Sequence, residues 1–347
     1  MNKYFILLVF LSFSLISCSF LSSFESNIST HNEEINKEIR DEIHLINEKI
    51  IKDISNGDKS AFMDMFIYDG KKEILKAQME KLLPQVSEIV KGRKFKIYNE
   101  YYFKIFGYKK ALKKTYTISS ETEDAFSLRF KPESDKSFVS LLRSENDDED
   151  YLMTFQYVKI DKKWRLQFFY LKPYKIGKKT CYEWMNESNK LSENGCFLPA
   201  YLHILYSRQC LDPSPIMKYD IYSQVITKEK NLKDYLNKNY ELPLKLNKNG
   251  TEQMLFKISP NLYNGKYSPC VEYVTTTPLN NNEELEKEAK QMIPQLEENY
   301  TGIAKDVDFI LFIAYEEYPE DENKDYKVFK SAIKVNDKNK KRGQDSN

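Results

Sequence analysis

Apolar and polar positions change period several times along this chain of 347 residues, and each change predicts an element. A run from Tyr4 to Ser17 is unbroken by charge and follows the single basic residue Lys3. Next, Ile35, Ile39, Ile43, Ile46, Ile50 and Ile54 recur at spacings of three and four, which draws one apolar stripe on a helix. Thr30 and Glu33 are spaced as a capping box at its start. Asn56-Gly57-Asp58 ends it, with Asp58 as N-cap of a short helix through Phe62, Met65 and Phe66. A third helix is predicted from Lys71 to Val90, with Ile74, Leu75, Met79, Leu82, Leu83, Val86, Ile89 and Val90 inward and a kink at Pro84.

After Gly92 the period switches to strands. KFKIYNEYYFKIFGY, TYTIS, AFSLRF, SFVSLL, YLMTFQYVKI and WRLQFFYLKPY are rich in β-branched and aromatic residues, and the last two flank Asp161-Lys162-Lys163 as a hairpin. Residues 175–240 read as helices: CYEWMNESNKL, CFLPAYLHILYSRQC and SPIMKYDIYSQVITKEKNLKDYLNKNY. In the middle one, Leu198, Tyr201, Leu202, Leu205 and Tyr206 form an apolar face, and His203 falls beside it with no carboxylate or second histidine in view. The last third alternates: LPLKL, QMLFKIS and YSPCVEYVTTT as strands, a helix opened by Asn280 to Asn282, then DVDFILFIAYEEY and DYKVFKSAIKV. The unbroken apolar run Phe309 to Ala314 predicts a central, buried strand, and Glu316 to Glu322 predicts a solvated hairpin loop, with no calcium-loop motif in it. The class is α+β. The divisions are 1–17, a leader; 18–34, a Ser- and Asn-rich tether with Phe20 and Phe24 near any membrane; 35–174, helices on an antiparallel sheet; 175–240, a helical connector; 241–335, a smaller α+β unit; and 336–347, a disordered tail.

The leader has a basic start and an apolar run too short to span a bilayer, the layout of a secretory signal. Leu15-Ile16-Ser17-Cys18 resembles the lipobox of bacterial lipoproteins. That resemblance implies cleavage before Cys18, lipidation of its thiol and stable anchoring to a membrane, since two or more acyl chains hold firmly where one does not. Only seven of the 53 basic residues are Arg. The Lys, Asn and Ile bias is similar to that of spirochaetal lipoproteins, notably those of Borrelia; that resemblance implies an outer-membrane location and is compatible with display toward a host. The strand–DKKW–strand ending of residues 32–174 resembles the NTF2-like superfamily, in which a curved sheet wraps helices into a cone. In such a cone a deep apolar cavity would mark a carrier of a lipid or small ligand. Filling by Phe126, Phe155, Trp164 and Phe168 would mark a structural domain.

The formal net charge is +1, which argues against a nucleic-acid partner. Cys181, Cys196, Cys210 and Cys270, spaced 15, 14 and 60 apart, are an even set in an exported chain and predict disulfides. Their spacing predicts no metal site. With three histidines in all and no phosphate, zinc-protease or nucleophile-elbow motif, no catalytic residue or cofactor is assigned. The function expected is a non-catalytic, lipid-anchored binding module that rests on the membrane through its lipid and takes an unidentified protein or small-molecule ligand. The alternatives are a periplasm-facing carrier and a two-carboxylate hydrolase, the latter needing two facing acids, one with a raised pKa.

Overall fold

A computed structural model describes residues 28–67, 72–105, 116–119, 125–130, 134–145, 149–248, 251–321 and 324–335. Cys18, the leader and residues 336–347 lie outside these. The chain is α+β, with seven helices among the described residues.

Three helices open the fold: α1 (Lys37–Ser55), α2 (Lys59–Met63) and α3 (Lys72–Val90). The isoleucine stripe behaves as its spacing requires, with Ile43, Ile50 and Ile54 fully buried. The predicted capping box at Thr30 and Glu33 does not form. Residues Ile28–His31 are instead strand β1, held by backbone pairing to β2 (Phe95–Lys104). The helix starts later, where the Asn36 side chain accepts from the amides of Glu38 and Ile39. Residues 28–34 are thus structure rather than tether. Asp58 caps α2 as expected. In α3, Leu83 and Val90 point inward, while Leu82 is 48% exposed.

Strands β5 (Lys136–Ser144), β6 (Glu149–Ile160) and β7 (Lys163–Ile176) complete a sheet in the order β1-β2-β5-β6-β7, antiparallel throughout. Asp161 and Lys162 both take positive φ (49° and 64°), which makes the predicted hairpin a two-residue turn of the kind that matches strand twist. Both faces of this sheet are buried. Tyr102, Phe138, Leu142, Met153, Phe155, Tyr157 and Leu166 meet the N-terminal helices. Tyr101, Val139, Leu141, Leu152, Tyr174 and Ile176 face the other way. Phe155 and Trp164 therefore fill the helix-side space, whereas Phe126 belongs to the opposite cluster and Phe168 is half-buried against Tyr170.

That opposite face is covered by the segment expected as a connector: α4 (Cys181–Glu193), α5 (Phe197–Cys210) and α6 (Tyr222–Asn239). The expected helix from Ser214 to Tyr240 is shorter. Met217–Tyr219 form strand β8, which joins β3 (Tyr116–Ser119) and β4 (Phe126–Phe130) in a three-stranded sheet. The reason is non-local: Phe126 to Leu128 supply the ladder partners, and Met217 and Tyr219 are buried around an exposed Lys218.

The C-terminal sheet runs β13 (Val328–Lys334), β12 (Phe309–Tyr315), β11 (Lys266–Val274), β10 (Thr251–Tyr263), β9 (Leu244–Lys248). β11 and β12 are parallel, connected through α7 (Asn282–Asn299), and the other pairs are antiparallel. The run Phe309 to Ala314 alternates rather than being buried throughout. Ile310, Phe312 and Ala314 pack under α7, while Leu311 and Ile313 are half-buried on the other face. An unbroken apolar run fits a strand covered on both faces, and here, among the described residues, the helical cover packs on one face of the sheet.

Helix α5 joins the halves. Ala200, Ile204, Tyr206 and Cys210 belong to the cluster under the first sheet, and Leu198 and Leu202 to the cluster under the second. A helix serving two cores is apolar all round, and nine of its residues are buried.

Candidate functional site

Where the two halves meet along α5 the surface opens into a cleft of about 950 Å³. Two tight turns form its mouth. In the first, Ile176 and Lys179 exchange both backbone hydrogen bonds (3.0 and 3.1 Å) around Gly177 and Lys178, which have φ of 56° and 68°. In the second, Asn264 and Gly265 take φ of 52° and 70° between β10 and β11. The turns touch: a Cβ at Gly177 would lie 3.0 Å from the Leu262 side chain and 3.6 Å from the Gly265 carbonyl, and the positive φ favours glycine there.

The first turn delivers the chain into α4 through a capping box. The Thr180 amide donates to the Glu183 carboxylate (2.7 Å) and the Glu183 amide to the Thr180 hydroxyl (3.3 Å). This orientation sets Lys179 over the Trp184 ring, 4.6 Å from its centroid, and against Glu187 at 2.6 Å. The Trp184 indole donates to the Ile176 carbonyl (2.9 Å), which fixes the ring beneath the turn.

His203 forms the floor. Its Nδ1 lies 2.8 Å from the Pro199 carbonyl. A carbonyl only accepts, so Nδ1 carries the proton and, in the neutral ring, Nε2 is left with a lone pair. Nε2 is 3.5 Å from Glu187. Burial holds the His203 pKa below the ordinary imidazole value, and Lys179 pushes the same way. The Pro199 bond and Glu187 push it up without overcoming burial. The rings of Trp184 and Tyr267 pack on the imidazole at centroid distances of 5.2 and 4.2 Å. The Tyr267 hydroxyl is buried with no hydrogen-bond partner among the described residues.

The rim is charged with both signs. Lys266 pairs with Asp308 (2.9 Å), while Lys178, Lys190 and Lys305 line the cleft with no ion-pair partner among the described residues. Of its four carboxylates, Glu183 is taken by the cap, Glu187 by Lys179 and Asp308 by Lys266, while Asp306 has no ion-pair partner among the described residues. The arrangement offers aromatic area, a neutral imidazole acceptor and several ammonium donors, which suits a small polar ligand. Sequence reasoning found His203 without its partner. Glu187 lies 16 positions earlier, and only the antiparallel packing of α4 on α5 brings it in; the T-x-x-E signal at Thr180 was the one local clue.

A second polar group lies under α1. The Tyr157 hydroxyl donates to Asn47 Oδ1 (2.6 Å), Asn47 Nδ2 to Ser140 Oγ (3.0 Å) and Ser140 Oγ to Glu100 Oε1 (3.2 Å). Glu100 Oε2 meets His44 Nε2 at 2.9 Å. Each of these groups is met by the next, and the chain ties α1 to the sheet.

The disulfide expectation fails for the structure. Cys181, Cys196, Cys210 and Cys270 are all buried, and none of them is in a disulfide. Cys181 opens α4 and Cys210 closes α5 in the first core, Cys196 caps α5 beside Gly302, and Cys270 sits in β11. They serve as small apolar side chains. Burial raises the pKa of Cys196, carries that of Cys270 to about 11 and that of Cys210 to about 12. Among the described residues no set of three His, Cys, Asp or Glu side chains gathers as metal ligands, and no helix is long and apolar enough to cross a membrane. No protein-family model, curated protein or solved structure matches the chain.

Proposed function

We propose that the protein is a lipid-anchored bacterial envelope protein, held through Cys18, whose folded body binds a small polar ligand without transforming it. The observation that carries the binding part is the cleft floored by His203, Trp184 and Tyr267 and rimmed by Lys178, Lys190 and Lys305. Its volume of about 950 Å³ lies in the range of small-molecule sites, roughly 300–1,000 Å³. The anchor rests on the lipobox likeness. β1 begins ten residues after Cys18, and at no more than about 3.6 Å per residue that keeps the body within roughly 36 Å of the lipid.

The carrier reading gains from the cleft and loses from the cone. If the first sheet and α1 to α3 are NTF2-like, their interior is filled by Phe62, Phe138, Phe155 and Tyr157, all fully buried, and the ligand belongs between the halves. Native mass spectrometry of protein purified from its own cells tests this. The wild type should carry a non-covalent small-molecule adduct, and Lys190→Trp, which obstructs the cleft from an exposed position on α4, should not. Bare protein in both samples, or the same adduct in both, would overturn the binding reading. Protease treatment of intact and permeabilised cells decides between outward display and a periplasmic face.

A further inference from the structure

His203 and Glu187 meet on the wall of the cleft as two acceptors. Nδ1 of the imidazole is bound to the Pro199 carbonyl, so Nε2 presents a lone pair, and it faces Glu187 Oε2 at 3.5 Å. The His203 side chain is 10% exposed, and among the described residues no group donates to Nε2. The Glu187 side chain is 34% exposed and lines the same cleft. Lys179 bridges both Glu187 oxygens (2.6 and 2.7 Å). Each carboxylate oxygen has two lone pairs, so Oε2 keeps one for a second donor. A nitrogen with two or more protons, about 2.9 Å from each atom, would donate to both at once. A hydroxyl has one proton and would leave one acceptor unmet.

The rim calls for the opposite sign. Lys178 comes from the first turn, Lys190 from the last turn of α4 and Lys305 from the loop after α7. None has an ion-pair partner among the described residues, and Asp306 is the one lining carboxylate in the same state. A simple cation at Glu187 would be repelled by these three ammoniums and by Lys179. A guest that also carries an acid group removes that repulsion.

We propose that the ligand of the cleft is a small zwitterion, with a primary amine and an acid group, carboxylate or phosphate, on one molecule. The ammonium donates to His203 Nε2 and Glu187 Oε2, and the acid group accepts from Lys178, Lys190 and Lys305. This deepens the reading of the cleft as a ligand site and rests on it.

The test is the chemistry of the small molecule that denaturation releases from the full chain purified from its own cells. Accurate mass before and after an amine-specific succinimidyl ester should show one amine acylated. Fragmentation should show loss of formic acid from a carboxylate or a phosphate ion from a phosphate, and either acid agrees with the proposal. A released molecule with no reactive amine, or with no acid group, overturns the proposal and leaves the binding reading standing. Release of nothing overturns both. Native mass spectrometry of variants checked for folding by circular dichroism then places the two charges. Glu187→Gln, and Lys190→Gln combined with Lys305→Gln, should each retain about a tenth of the wild-type adduct. Lys230→Gln, exposed on α6 outside the cleft, should retain all of it. Wild-type retention in folded Glu187→Gln or in the folded double variant would overturn the proposal. If one of the two does not fold, the other decides.

Discussion

His203 shows what a single buried titratable group does to this fold. Burial is the largest cause of its lowered pKa, with Lys179 adding to it and Pro199 and Glu187 opposing. The unfolded chain therefore takes up a proton at about pH 6.5, while the native ring takes it up only at lower pH. In that window the unfolded state binds more protons, so stability falls as pH drops through it and is fully present above it. The melting temperature should thus decline from about pH 7.5 to about pH 5.5 more steeply for wild type than for His203→Gln. Parallel declines in the two proteins would remove His203 from the account. At this scale the sequence was a partial guide. The cap at Asp58 and the isoleucine stripe are local patterns and could be read. Glu187 beside His203, and the thiols left apart, depend on how α4, α5 and β11 pack, which no spacing encodes.

Among the elements, those set by their own residues were the legible ones. The hairpin at Asp161-Lys162 is an instance, because a charged pair between two alternating runs leaves little else for the chain to do. Both turn residues are left-handed (φ 49° and 64°), a conformation that costs non-glycine residues about 1–2 kcal/mol. Lys162→Gly should therefore stabilise the protein by up to about 1 kcal/mol after the greater freedom of glycine in the unfolded chain is subtracted. Urea denaturation measures it, and a destabilised variant would contradict the turn assignment. Elements defined by distant partners were misread. Met217–Tyr219 is a strand because β4 supplies its ladder. Thr30 is strand rather than cap because β2 does the same. β12 is half-covered because α7 packs on one face only.

The whole molecule turns on α5, which is buried by two cores at once. Removing either core would strip apolar contacts from the same helix, so the halves should unfold together. Trp164 reports the N-terminal cluster and Trp184 the central one. Tryptophan emission and far-ultraviolet circular dichroism are expected to trace one coincident urea transition. Separated transitions would mean that the halves are independent and that the cleft between them is not held in one shape. The α+β class was visible from alternating periods. The layering was not, because an apolar helix facing two ways has the same pattern as one facing a single core.

The claim on which the rest hangs is that this body works at a membrane through Cys18. The most direct test expresses wild type and Cys18→Ala in the native cells and separates membrane from soluble fractions. Wild type is predicted in the membrane fraction, released by detergent, with Cys18→Ala recovered in the soluble fraction. Cys18→Ala remaining with the membrane as firmly as wild type would contradict the anchor.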